Sequence, residues 1–378
     1  MTPEQTVRHP LDRWHEVVNV HEVASPALLV YPERVEENIQ RMVGIAGSAE
    51  RLRPHAKTHK LRELIQMQMA HGIKKFKCAT VAEAEMIAGC AAESVLLAYQ
   101  PVGPNMHRVL ELARRFPKTA FSTIADDAET LRALSAAAGL AGVELDVLLD
   151  IDCGMHRSGV EPGPKALELY RLLASLPNLR PGGLHVYDGH IHERDLAART
   201  HICQAAFAPV DRLQKELAVA GLSVPRVIAG GTPTFPIHAR RQDLECSPGT
   251  CLFWDAGYES KLPDLDFLPA ALVLTRVVSK PAPNRLCLDL GHKAVASENP
   301  HPRVQLLGLP DAKAVMHSEE HLVIETARAD EFAVGAFFYG IPWHICPTVA
   351  LYSEAEVIRA GRAEARWPIT ARARELTI

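Results

Sequence analysis

The sequence predicts an α/β protein, a (β/α)8 TIM-type barrel followed by a C-terminal mainly-β domain. Three observations predict it. Between residues 24 and 255 short aliphatic or β-branched runs alternate with longer amphipathic stretches, about eight strand–helix units, the number that closes a barrel. No GxGxxG follows the first run, which weakens the competing open doubly wound sheet. After Gly257 helical stretches become scarce and Pro and Gly punctuate strand-like runs.

Each element has its own signal. Residues 27–31 (ALLVY) read as a strand, and 33–46 as a helix with Val35, Ile39, Met42 and Val43 at helical spacing. Residues 52–56 read as a strand and 61–71 as a helix. Strands at 76–79 and 95–98 flank a helix at 82–89 that Gly89 ends. Further strands fall at 119–122, 145–151, 183–187, 227–229 and 244–246. Ala/Leu/Glu/Arg-rich helical segments at 106–116, 128–138, 165–176 and 201–220 separate them. Beyond the barrel, residues 270–279, 285–290, 303–307, 321–326 and 356–359 read as strands. The expected divisions are a segment at 1–25 that packs on the β-domain, a barrel at 26–256 and a β-domain at 257–378.

Composition narrows the function. The 378 residues are 47% hydrophobic and 23% charged, ordinary for a globular chain, and a net charge of -4 gives no footprint for nucleic acid or an anionic membrane. No apolar run approaches the roughly 18–20 residues of a membrane span. The first ten residues hold His, Arg and Glu and no apolar core, so no secretory signal is expected, and the chain is placed in the cytoplasm. Eight scattered cysteines without a CxxC pair are then expected to be reduced.

Several segments carry chemistry. Arg53-Pro-His55-Ala-Lys57-Thr-His59-Lys60 comes at the end of the second predicted strand. Lys57 there is either a lysine snorkelling from the barrel rim or an amine at the face where barrel chemistry sits. In the second case burial and the neighbouring Arg53, His55, His59 and Lys60 would lower its pKa and make it a nucleophile toward carbonyls. Asp152-Cys-Gly-Met-His-Arg157-Ser-Gly159 puts Arg157 on a loop at the same face, suited to a phenolate or carboxylate oxygen, or simply in a surface turn. His185-Val-Tyr187-Asp-Gly-His190-Ile-His192 clusters histidines at another strand end, each a candidate base or a satisfied polar group. The small-residue loops Gly230-Gly231-Thr232 and Ser247-Pro-Gly249-Thr250 follow the last predicted strands, a recurring phosphate position in barrels. Far along the chain, His344-Ile-Cys346 on an extended segment would point two ligands to one face and suit Zn2+, a pair that closes no site alone.

Together these segments resemble the pyridoxal-phosphate enzymes of the alanine-racemase-like barrel type, in the branch of D-threonine aldolases and D-serine dehydratases. The resemblance runs from about Ala24 to the C-terminus. It implies pyridoxal 5'-phosphate as cofactor, Lys57 as its Schiff-base residue, and Arg157 beside its phenolic oxygen. His55, Tyr187, Gly230, Gly231, Thr232, Ser247, Gly249 and Thr250 would complete the cofactor contacts. It implies a divalent metal (Zn2+, Mn2+ or Mg2+) on His344 and Cys346, binding the β-hydroxyl of a D-3-hydroxy amino acid. His190 or His192 is the candidate base. A head-to-tail homodimer is implied, because in this family the other subunit meets the lysine-bearing domain. Two reactions fit: retro-aldol cleavage to glycine and an aldehyde, and β-elimination to a 2-oxo acid and ammonia. In the resembled family aldolases tend to carry an aspartate at the position of Cys346 and zinc-dependent dehydratases a cysteine. Length and layout lean toward the aldolase branch, which is the leading expectation. A non-catalytic pyridoxal-phosphate-binding protein is the remaining alternative, and the His/Cys pair argues against it.

Overall fold

A computed structural model describes residues 13–378. The chain divides into two compact units, residues up to Val35 with Pro269–Pro368, and Glu36–Leu268 with Ile369–Ile378. The earliest strand, β1 (Ala27–Val30), belongs to the first of these and is taken up after the barrel.

Seven parallel strands form the sheet of the larger unit: β2 (Lys75–Cys78), β3 (Ser94–Leu97), β4 (Ala120–Ala125), β5 (Leu145–Ile151), β6 (Leu179–Val186), β7 (Val227–Ala229) and β8 (Leu244–Cys246), in that order across the sheet. Helices at Val81–Ala88, Pro104–Arg115, Ala128–Ala141, Pro164–Ser175 and Leu196–Val219 connect them. Several open on a side-chain cap: Thr80, Asp127 and Asp195 each accept an N–H of the first turn, which satisfies a donor the helix leaves orphaned. Leu96, Ile124, Leu148 and Ile228 meet as a buried apolar layer.

Residues 52–55 join the two sheet edges. Leu52 bridges Cys246 of β8, and His55 bridges Lys77 of β2, both in parallel sense. The Arg53 N–H donates to the Cys246 carbonyl at 2.8 Å, and the Lys77 N–H to the Pro54 carbonyl at 2.9 Å. This eighth stave is shorter than a named strand because Pro54 has no N–H to give to a ladder. The stave expected at 52–56 is thus present as a pair of bridges.

The expectation for residues 27–31 is corrected. β1 lies in the nine-stranded sheet of the other unit, antiparallel to β9 (Ala271–Ala282), with Leu28 opposite Val273. All four of its residues are buried. A short run buried on both faces has no alternation to tell one sheet from another, so the sequence does not distinguish a barrel stave from a central strand here. The rest of this sheet is β10 (Arg285–Leu288), β11 (Val304–Leu306), β12 (Lys313–His317), β13 (Leu322–Glu325), β14 (Phe337–Pro342), β15 (Glu354–Arg359) and β16 (Arg362–Pro368). β9 organises it. One half pairs β1 and β14, and the other half pairs β10. Val273, Val277, Leu286, Leu288, Leu306, Leu322, Ile324 and Phe338 build its core.

Residues 1–12 of the expected N-terminal segment lie outside the described residues. The described part touches the nine-stranded sheet: the Val18 N–H donates to the Gly361 carbonyl at 2.8 Å, and the Val17 N–H to the Tyr339 hydroxyl at 2.9 Å. No helix among the described residues is long and apolar enough to cross a membrane.

Candidate functional site

The barrel stave at 52–55 runs into a single 3-10 turn, Ala56–Thr58, which carries Lys57. The His55 ring caps that turn: its Nδ1 accepts the Lys57 N–H at 3.2 Å, so the next ring nitrogen faces away from the turn. Lys57 lines a cavity of about 540 Å³ with Lys60, Thr80, Leu97, Tyr99, Arg108 and Arg374. Two of the cations expected to act on Lys57 are neutralised by partners instead. Arg53, 1% exposed, donates to Glu245 at 2.7 Å, and Lys60 pairs with the buried Glu83.

Tyr187, just past the end of β6, is where the barrel's cations converge. Arg157 lies 4.8 Å from its ring centroid, Lys77 5.6 Å and Lys57 5.9 Å. Arg157 is presented by a loop that Asp152 folds, accepting the Gly154 N–H at 2.9 Å and the His156 N–H at 3.0 Å. Lys77 was missed in the sequence. It shares the short strand KFKC, and by the two-residue period one strand face, with Lys75. Only the fold reveals that Lys75 is paired with Glu245 while Lys77 is buried without an ion pair among the described residues.

Beneath these groups lies a buried polar layer. His185 Nδ1 and Asp150 are 2.7 Å apart, and Ser158 donates to the other Asp150 oxygen at 2.9 Å. Burial pushes the Asp150 carboxyl up, but the His185 and Ser158 hydrogen bonds hold it below its ordinary value. His185 Nε2 is buried with no hydrogen-bond partner. Burial, with the charges of Lys57 and Lys77 added, holds His55 well below the usual histidine range, so it is neutral at pH 7. Burial and the Lys57 charge bring Lys77 down to about 7.

The two small-residue loops meet across the barrel. Gly249 and Thr250 both direct their N–H groups at Thr232 Oγ1, each at 3.2 Å. A Cβ on Gly249 would lie 3.2 Å from the His55 carbonyl and Cβ, so the two backbones approach closely there and a side chain would require a small shift. Gly230 has φ +74, and a Cβ there would lie 2.6 Å from the His238 ring. Ser247 donates its hydroxyl to the Arg53 carbonyl at 2.9 Å and so ties this loop to the Lys57 stave.

Asp188, Cys203 and His238 form a buried group close enough to hold a metal ion, and the sequence reading missed it. His238 lies 2.7 Å from Asp188 and 3.5 Å from Cys203, and Thr234 donates to Asp188 at 2.7 Å. These distances are ordinary hydrogen bonds, and burial beside Asp188 pushes the Cys203 thiol well up, against a thiolate ligand. As it stands the group clamps the residue after Tyr187 to the segment after Gly230–Thr232.

The histidine candidates separate by burial. His190 is half-buried, with a buried Nδ1 that has no hydrogen-bond partner, and His192 is exposed. The expected metal pair differs in local geometry. β14 ends at Pro342, His344 is the extended N-cap of a short helix, and Cys346 lies inside that helix at Ile345–Val349. The two side chains therefore do not share a face through strand alternation as expected. His344 Nδ1 is instead paired with Glu298, which the sequence reading did not single out.

The barrel fits pyridoxal phosphate on three counts: an amine at a strand end with cations around an aromatic ring, an orphaned imidazole nitrogen below, and converging N–H groups where a phosphate would sit. Comparison with known proteins agrees. Residues 30–256 match the alanine racemase N-terminal domain, and residues 270–358 a putative serine dehydratase domain. A D-threonine aldolase of Arthrobacter sp is 30% identical, over 93% of each chain. A D-threo-3-hydroxyaspartate dehydratase of Delftia sp. is 30% identical over 61% of each. The crystal structure of D-threonine aldolase from Filomicrobium marinum superimposes with a TM-score of 0.87 at 30% identity, covering 93% of this chain and 96% of that one. The chain belongs to the alanine-racemase-like family, with the serine dehydratase domain following the barrel.

Proposed function

We propose that this member of the family is a lyase of D-3-hydroxy amino acids that uses pyridoxal 5'-phosphate and a divalent metal, and first of all a D-threonine aldolase. The observation that supports this most is the convergence of Lys57, Lys77 and Arg157 on Tyr187 above the unpartnered His185 Nε2. When bound, the cofactor supplies the electron sink that lets a bond at the substrate's α-carbon break.

The protein's own residues do the rest. Lys57 holds the cofactor through its amine. Arg157 would meet the phenolic oxygen, and Tyr187 and His55 would contact the ring, if the cofactor were bound. The backbone of Gly230–Thr232 and of Ser247–Thr250 receives the phosphate. His190, half-buried with a free ring nitrogen, is preferred to the exposed His192 for taking the β-hydroxyl proton. His344 and Cys346 hold Zn2+, Mn2+ or Mg2+ to orient that hydroxyl, and Glu298 fixes the His344 ring, as an outer partner commonly does for a ligating histidine. We place the protein in the cytoplasm as a head-to-tail homodimer, which light scattering would test.

Cys346 favours a second reading. A thiolate suits zinc, and zinc as a Lewis acid on a departing hydroxyl favours dehydration. Product analysis separates the two. Purified protein with pyridoxal phosphate and either Mn2+ or Zn2+ should turn D-threonine into glycine and acetaldehyde. 2-Oxobutanoate and ammonia would establish the dehydratase. D-threonine, D-serine and D-3-hydroxyaspartate all left intact, with and without metal, would overturn the lyase.

A further inference from the structure

Lysine is almost never fully buried unless it is paired. Lys77 is 2% exposed, and among the described residues its amine makes no ion pair and no hydrogen bond. It points across the barrel, from β2 to the Tyr187 ring beyond β6. Its strand neighbours Phe76 and Cys78, both fully buried, pack on the opposite face, as the two-residue period requires.

The acids nearby act on this charge only through space, Asp188 and Asp150 favouring it without an ion pair to the amine. Asp150 is held by His185 and Ser158, and Asp188 by His238 and Thr234. Three cations therefore surround one aromatic ring, and the protein supplies no carboxylate of its own among them. A buried amine with no ion pair or hydrogen bond is costly to keep charged, so its position among these cations points to an anionic oxygen brought in by a ligand. Two sources have that chemistry, the phenolic oxygen of the cofactor and the carboxylate of the substrate. The first is favoured. Lys77 shares the Tyr187 ring with Arg157, the residue assigned to that oxygen, and it is as buried as the barrel layer on which a cofactor ring would rest.

We propose that Lys77 is a second cationic contact, beside Arg157, for the phenolic oxygen of bound pyridoxal phosphate. The proposal rests on the cofactor reading above. A charge-assisted contact of this kind contributes to cofactor affinity before any substrate arrives, and it keeps the phenolic oxygen ionised.

The test is a cycle between residue and cofactor, read as the dissociation constant of cofactor and as its absorbance in the loaded protein without substrate. Lys77→Met should weaken pyridoxal phosphate binding by ~10-fold or more and move absorbance from the visible toward the near-ultraviolet band. Lys77→Arg should restore most of both. With 3-deoxypyridoxal phosphate, which lacks the phenolic hydroxyl, the same substitution should cost little affinity. The analogue arm can be run on Lys77→Arg and Lys77→Gln as well, so a Lys77→Met protein that fails to fold leaves the comparison intact.

Unchanged affinity and absorbance in Lys77→Met would overturn the proposal. So would an effect confined to the KM for D-threonine, which would assign the amine to the substrate carboxylate. An equal loss with both cofactors would reduce Lys77 to a structural role. The underlying reading fails separately: visible absorbance that survives Lys57→Ala and vanishes only when Lys77 is also replaced would move the attachment point itself.

Discussion

The two units of this chain bury different things. Among the described residues, the barrel unit buries Arg53, His55, His59, Lys77, Glu83, Asp150, His185, Asp188, Arg199 and His238. In the β unit the fully buried polar side chains are the threonines Thr275, Thr326 and Thr348, around an aliphatic core. Its chemistry-bearing residues, Glu298, His344 and Cys346, are half-buried or exposed. A buried charge costs free energy unless a partner or a ligand answers it, whereas buried Leu and Val stabilise through the area they remove from water. The barrel's buried charges largely answer one another, Arg53 with Glu245, Asp150 with His185 and Asp188 with His238, and Lys77 is the exception, whereas the β unit's interior is aliphatic.

The largest expected effect breaks the barrel side of this comparison. Lys57→Ala should abolish activity and the visible absorbance of the loaded protein, measured by spectrophotometry, with little change in melting temperature. Retained absorbance with full activity would remove Lys57 from its role.

His344→Ala probes the other unit. Activity on D-threonine should fall by about 100-fold or more, since even a residue that only supports a metal ligand costs roughly 10–100-fold when replaced, while the dissociation constant of cofactor is unchanged, since no proposed cofactor residue lies in that unit. Cys346→Asp should keep part of the activity and shift metal preference toward Mn2+ or Mg2+, and an unchanged preference in metal-reconstitution assays would count against Cys346 as a ligand.

Leu288→Ala, in the β core, should cost about 2–5 kcal/mol in denaturant unfolding and leave cofactor affinity alone. An affinity loss as large as that of a barrel variant would blur the distinction between the units.

Acid should act first on the barrel. His55, His59 and His185 are buried and all held below the ordinary histidine value, His59 down to about 3, with burial the leading cause. For each, the unfolded chain binds a proton that the folded chain refuses. The stability is complete above about pH 6.5 and falls as pH drops toward the folded value, by up to about 1.4 kcal/mol per pH unit per histidine. His15, His301 and His317 of the β unit shift the same way but are half-buried or exposed. Hydrogen exchange at pH 7 and pH 5 should therefore show loss of protection in β2–β8 before β9–β16. The reverse order would contradict the burial argument.

How much of this was legible in the sequence depends on the kind of signal. The alternation of strand and helix and the change of texture after Gly257 exposed both folds, because each element carries its own periodicity. Lys57, Arg157, Tyr187 and the two small-residue loops were legible for a related reason. Each lies in a short local motif at the end of a strand, and a barrel places strand ends on one face.

What failed were the statements that depend on contacts distant in the chain. β1 reads the same as a barrel stave or a central strand, and its partners, β9 and β15, lie more than two hundred residues away. The extended reading of His344–Cys346 missed that the chain turns into a helix after Pro342. Arg53 and Lys60 looked like free cations near Lys57 until Glu245 and Glu83 arrived from other segments. Sequence by itself determined the folding units and the residues able to do chemistry, since these follow from local pattern and side-chain type. Tertiary structure decided which charges are neutralised and which are left facing the cavity. Lys77 shows why: it shares a strand and a strand face with Lys75, yet Lys75 at the start of β2 is paired with Glu245, whereas Lys77, one residue pair further along, is buried beside the Tyr187 ring with no ion pair among the described residues.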